Sequence, residues 1–175
     1  MAGTLHALLL RPSDPIRAGV AAVDARLVAL APPSGLAMLP LTDEVQQRIT
    51  GDVRTDDPVP GFYDLSRGLA DWARSLSYDG PVGYVHLEFH GGTGFHAAVG
   101  WRDGTIAWGP EFTANASYEA EAHYRFLPPG QGGDMAINGL LRWLGVDRAD
   151  HLDEFEAVDL VRHRSTERWA ADPTT

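Results

Sequence analysis

Three consecutive runs, Val82 to His90, Phe95 to Arg102 and Thr105 to Phe112, alternate apolar and polar residues and are separated by glycine-rich turns. A chain satisfies that pattern as a three-stranded antiparallel meander. Side chains alternate with period two, so Val85, Leu87 and Phe89 share one face of the first strand, and Tyr84, His86, Glu88 and His90 share the other. The first face is expected to be core and the second to carry the chemistry.

The turns propose a register. Asp103-Gly104 suits a two-residue type I′ turn, which needs positive φ at both central positions, and it pairs Trp101 with Ile106 and Val99 with Trp108. A three-residue loop Gly92-Thr93-Gly94, with Gly94 left-handed, pairs Phe89 with Ala97, Leu87 with Val99 and Val85 with Trp101. A one-residue slip would move Val99 and Trp101 to the polar face, which the pattern disfavours. This register lines up His90, His96 and Glu111 in one row. Glu88, Ala98 and Gly109 stand beneath it, then His86, Gly100 and Ala107.

With 175 residues, 44% of them apolar, the chain is expected to form a single α+β domain over residues 1–175 with a substantial core. No run of eighteen apolar residues occurs, and Leu8-Leu9-Leu10 is too short for a secretory core segment, so a soluble, cytoplasmic protein with no membrane association is expected. All fourteen basic residues are arginine, and there is no cysteine. Schiff-base and P-loop lysines, thiol nucleophiles, thiolate zinc sites and iron–sulfur clusters are therefore ruled out. G-x-S-x-G, H-E-x-x-H, G-x-G-x-x-G and EF-hand patterns are also lacking. A formal charge of −10 argues against nucleic-acid binding and is compatible with a basic protein partner.

Around the meander the chain reads strand, helix, short strand, helix, helix before it and two helices after it. Thr4 to Leu10 is an apolar strand, and Asp14-Pro15 supplies an N-cap and N1 proline for a helix over Ile16 to Leu30. A short strand is expected around Gly35 to Leu39. Thr42 caps a helix ended by Gly51, residues 52 to 63 form a loop, and Ser66 caps a helix carrying Leu69, Trp72, Ala73 and Leu76. Beyond the polar passage Thr113 to Arg125 and the loop Pro128 to Gly133, Asp134 is expected to cap a largely buried helix through Leu144. Asp147 suits the cap of a further helix, and Phe155 to Val161 is ambiguous between helix and strand. This order gives an antiparallel sheet containing the 82–112 meander, packed by helices. Pro110 cannot donate to a ladder, so the third meander strand is expected at the sheet edge or to lose regular pairing before Pro110.

Several candidate sites follow. Two imidazoles and a carboxylate on one face, His90, His96 and Glu111, have the composition of a facial metal site, with Glu88 or His86 as outer partners. Against it stands the reading of the same face as a solvated or partner-facing surface. Ser66, Ser117 and Ser165 carry no mark of a catalytic serine. Gly91-Gly92-Thr93-Gly94 joins two strands and opens no helix, so it reads as a turn and not a phosphate cradle. The acidic run Asp150, Asp153, Glu154, Glu156 and Asp159 reads as a solvated face or as a surface for a basic partner, and Arg162-His163-Arg164 as cations for nearby acids. A small-molecule pocket between helix and sheet is a third reading of the chain.

Three passages, Glu88-Phe89-His90-Gly91-Gly92-Thr93-Gly94 running into Ala97 to Gly104, Ala136-Ile137-Asn138 through Val146, and Asp153-Glu154-Phe155 through Trp169, resemble motifs of small proteins from high-GC bacteria encoded beside polymorphic toxins. The resemblance implies an immunity or antitoxin-type protein that binds a cognate toxin and blocks its active site, with no catalytic residues and no cofactor. On that reading Glu88, His90, His96, Glu111, Asp153, Glu154 and Glu156 are the expected partner-binding residues.

Overall fold

A computed structural model of the chain describes residues 3–51, 58–90, 93–115 and 135–174. Its centre is a six-stranded antiparallel sheet in the order β2-β3-β1-β4-β5-β6. The strands are β1 (Gly3–Leu10), β2 (Val28–Ala29), β3 (Ala37–Pro40), β4 (Val82–His90), β5 (Thr93–Arg102) and β6 (Thr105–Asn115). Among the described residues the helices are α1 (Asp14–Ala22), α2 (Asp43–Thr50), α3 (Arg67–Leu76), α4 (Ala136–Trp143), α5 (Glu154–Ala157) and α6 (Thr166–Ala170). The α+β expectation holds, and none of these helices is long and apolar enough to cross a membrane.

Helices cover both faces of the sheet, so there are two cores. On the first, Leu8, Leu10, Leu39, Val82, Tyr84, Val99 and Trp101 pack with Ile16 and Val20 of α1 and Leu69, Ala73 and Leu76 of α3. On the second, Leu5, Leu9, Met38, Val85, Leu87 and Ala98 pack with Ile137, Leu140 and Leu141 of α4 and Trp169 of α6. Each fully buried side chain of this size contributes about 1.5–3 kcal/mol of transfer free energy. β1 and β4 are therefore apolar on both sides, unlike strands with one wet face.

Local capping chemistry works as the sequence suggests at two helices, and at the first the cap moves by one residue. Ser13, one residue before the expected Asp14, caps α1 by accepting from Ile16 N, while Thr42 caps α2 through Val45 N and Ser66 caps α3 through Leu69 N. Gly51 ends α2 at φ 80°. The first helix stops eight residues short of the expected Leu30. The chain reverses at Asp24, with φ 50°, and Leu27, Val28 and Leu30 enter the cores around β2. Asp147 does not open a helix. Its carboxylate accepts from Ala149 N in a turn, and Asp153 caps the short α5 instead. The Ser165-capped α6 had no sequence expectation. The Pro128 to Gly133 loop, the Asp134 cap, most of the Thr113 to Arg125 passage and the Gly91-Gly92 turn lie outside the described residues. At the start of α4, Ala136 N is satisfied by the Thr113 hydroxyl of β6.

The second hairpin forms as expected around Asp103 and Gly104, both at positive φ, with Trp101 opposite Ile106. β6 is the edge strand, and the ladder shifts register on either side of Gly100, so Trp108 meets Gly100 rather than Val99. The β4–β5 register departs from expectation. Phe89 pairs with Gly94, Leu87 with His96 and Val85 with Ala98, a shift of three residues. Val99 and Trp101 thus stand beside Tyr84 and Val82, on the face expected to be polar. An alternating pattern chooses register only when one face is wet, and here both are dry.

Candidate functional site

The three-residue shift dissolves the expected row. His90 stands opposite Thr93, His96 opposite Leu87 and Thr113, and Glu111 opposite Ala98. His96 is buried on the second face, where desolvation pushes its imidazole down to about 4 against the opposing pull of Asp153. Glu111 is exposed and lines a cavity of about 420 Å³ between β6 and α4 with Trp108, Met135, Gly139, Arg142 and Trp143.

Of Asp153, Glu154 and Glu156, the acids of the C-terminal run expected to meet a partner, two are anchored in the fold. Glu154 is buried and pairs with Arg142 at 3.0 Å. Asp153 caps α5 and accepts from the Asn138 amide, whose oxygen in turn accepts from Phe155 N, tying α4 to α5. Glu156 is exposed and accepts from Leu152 N.

A different constellation forms on the first face. β1 and β4 pair so that His6 lies directly opposite His86, and directly opposed side chains on adjacent strands touch. Their rings meet edge-on with centroids 3.8 Å apart. Asp64, in the turn just before the Ser66 cap of α3, reaches over this pair. Its Oδ2 lies 3.3 Å from His6 Nε2 and 3.8 Å from His86 Nδ1. One ligand atom from each of His6, Asp64 and His86 falls within a common 4.8 Å sphere of separation. Glu88, two residues along β4 on the same face, holds Oε1 3.4 Å from His86 Nε2.

The site has a dry floor and a wet rim. The His86 side chain is 1% exposed and flanked by Phe95 at 5.0 Å between centroids, whereas Asp64 is 39% exposed and Tyr63, over the His86 ring, is also exposed. Burial, reinforced by His6, pushes the His86 imidazole down to about 3 even though Asp64 pulls the other way. Burial also pushes Asp64 up, but its hydrogen bond to His6 and the charges of His6 and His86 outweigh that and hold it below the usual carboxylate value. The result is a neutral imidazole beside an ionised carboxylate. Those are the protonation states that divalent metals select.

Both ring nitrogens of His86 are buried without a hydrogen-bond partner. Buried polar atoms are ordinarily satisfied, and leaving one unmade costs about 1–3 kcal/mol. Ligand atoms on a tetrahedral ion at about 2.0–2.1 Å stand about 3.3 Å apart, against the 3.3 and 3.8 Å that separate Asp64 Oδ2 from the two imidazoles.

Of the expected residues only Glu88 belongs to this cluster. His86 was expected on its face as an outer partner. His6 was missed, although a histidine inside the apolar strand Thr4 to Leu10 is itself a signal. Asp64 carried none, because its approach depends on how α3 docks. Comparisons of the chain with protein-family models, curated proteins and solved structures find no match.

Proposed function

We propose that this protein binds one divalent transition-metal ion through His6, His86 and Asp64. The reading keeps the two-histidine, one-carboxylate composition expected from the sequence but assigns it to other residues. His86 carries it: a buried imidazole, both nitrogens unpartnered, facing a carboxylate and a second imidazole. Three protein ligands leave at least one coordination position for water or an exogenous donor, the arrangement of catalytic rather than closed structural sites. The acidic rim of Asp64 and Glu88 favours cation entry.

Elemental analysis of untagged protein, followed by chelation and titration with Zn²⁺ or Co²⁺, tests this. The expected result is one ion per chain and a Co²⁺ visible spectrum of low coordination number. Loss of both in His86→Ala supports the assignment, and absence of stoichiometric metal from the wild-type chain overturns it.

A second reading, an immunity-type protein that inhibits a basic toxin, draws support from the surface around the acidic run. Leu152 and Val161 are 80% and 57% exposed there, beside Asp150, Glu156 and Asp159. Apolar residues rimmed by charge suit a protein interface. Co-purification with the product of a neighbouring toxin gene is the expected outcome, and a catalytically inactive form of that toxin failing to bind at micromolar concentration would sink it.

A further inference from the structure

We infer that Glu88 is a positioning residue of the proposed metal centre. With the ion bound it would accept the Nε2 proton of His86, 3.4 Å away, and so hold that ring in the tautomer whose Nδ1 lone pair faces the ion. The inference rests on the metal reading and says how the site is prepared for its ion.

A neutral imidazole has one N–H and one lone pair, and which nitrogen carries which is set by the partner of the other. His86 has a carboxylate on each side. Asp64 Oδ2 is 3.8 Å from Nδ1 and Glu88 Oε1 is 3.4 Å from Nε2. These carboxylates are not equivalent. Asp64 also reaches His6 and closes the three-residue ligand set, whereas Glu88 lies outside that set. An ion held by His6 and Asp64 therefore takes Nδ1, which leaves Nε2 as the protonated nitrogen facing Glu88.

The ring has little freedom to do otherwise. His6 meets it edge-on at 3.8 Å and Phe95 packs at 5.0 Å on a near-perpendicular plane. A half-turn of the ring would replace each nitrogen by a carbon and leave both carboxylates facing C–H groups. Glu88 keeps its place through the backbone, paired with Thr4 on one side and Phe95 on the other, so its side chain leaves the same face as His86. A carboxylate behind a ligating histidine raises ligand basicity and fixes ring orientation, and removing such a partner typically costs 10–100-fold in metal affinity. Ion at Nδ1 and Glu88 at Nε2 together satisfy both buried nitrogens of His86.

The test uses the full chain with ¹⁵N-labelled histidine, zinc titration, and the variants Glu88→Gln and Glu88→Ala. In wild-type protein, long-range ¹H–¹⁵N correlations should show zinc on His86 Nδ1 and a proton on Nε2. Glu88→Gln retains an acceptor oxygen and should bind zinc within about fivefold of wild type with the same tautomer. Glu88→Ala should bind about 10–100-fold more weakly, with the Nε2–H resonance exposed to exchange. Zinc on Nε2, or equal losses in the Gln and Ala variants, would make Glu88 a direct ligand and overturn the inference, as would wild-type affinity in Glu88→Ala. A wild-type chain that takes up no zinc overturns the metal reading itself, a distinct result.

Discussion

The two faces of the sheet each bury a histidine of the meander, and they treat it differently. His86 on the first face is surrounded by converging polar groups: a second imidazole, Asp64 and Glu88. His96 on the second face is sealed within the core that α4 to α6 complete, where the charge of Asp153 opposes its desolvation. Burial lowers the proton affinity of both, to about 3 and about 4. A displaced pKa therefore does not separate a site from a core. What separates them is convergence: two imidazoles and a carboxylate, from β1, β4 and the turn before α3, meet on the first face, while the second face uses its polar groups to tie helix to helix.

The sharpest division between the faces is metal binding. His86→Ala or His6→Ala should weaken Zn²⁺ or Co²⁺ binding by more than about 100-fold, beyond the loss from removing an outer partner, while His96→Ala should leave it within about twofold in the same titration. If His96→Ala matched His86→Ala, the contrast between the faces would collapse.

Both buried histidines make stability sensitive to acid, and His96 isolates the contribution of the sealed face. The unfolded chain binds a proton on His96 near the ordinary 6.5, while the folded chain resists until about pH 4. Stability from this residue is complete above about pH 6.5 and is lost as pH falls toward 4, amounting to about 3 kcal/mol at full loss. Urea unfolding of wild type and His96→Leu between pH 4.5 and 7.5 should show a flatter profile in the variant. Parallel profiles would remove His96 from the account of acid lability.

On the same face, Arg142→Met strands the buried Glu154 carboxylate. Because Arg142 is about half-exposed, the expected loss is about 2 kcal/mol, below the 3–5 kcal/mol of a fully buried pair. Denaturant midpoints at pH 7 measure it, and an unchanged midpoint would show Glu154 to be satisfied from elsewhere. The smallest effect is steric. A Cβ at Gly100 would come within 2.6 Å of the Trp143 ring, so Gly100→Ala should cost about 1–2 kcal/mol in thermal unfolding, with metal affinity on the other face unchanged. Loss of metal in that variant would mean that the faces are mechanically coupled.

Much of the local architecture was legible. The Thr42 and Ser66 caps, Gly51, the Asp103-Gly104 turn and the edge position of the Pro110 strand each follow from one or two residues whose backbone preferences act on the spot. The β4–β5 register was not legible. Tyr84 and Val85, or Val99 and Ala98, are equally buried neighbours, so periodicity had no wet face to orient it. The expected row of His90, His96 and Glu111 inherited that error. Within the acidic run Asp150 and Glu156 are exposed as a solvated face would have them, but that Glu154 turns inward to Arg142 depends on where α4 docks, and spacing along the chain does not encode it.

The candidate site divides the same way. Composition alone removed thiol and lysine chemistry and left histidine and carboxylate as the metal-binding repertoire. Alternation put His86 and Glu88 on one face of a strand. Residue 6 meets residue 86 only because β1 inserts between β3 and β4, and residue 64 meets both only because α3 packs against that face. Such contacts across 80 and 22 positions of chain are set by the joint burial of two cores on one sheet, a global free-energy balance that no local window of residues contains.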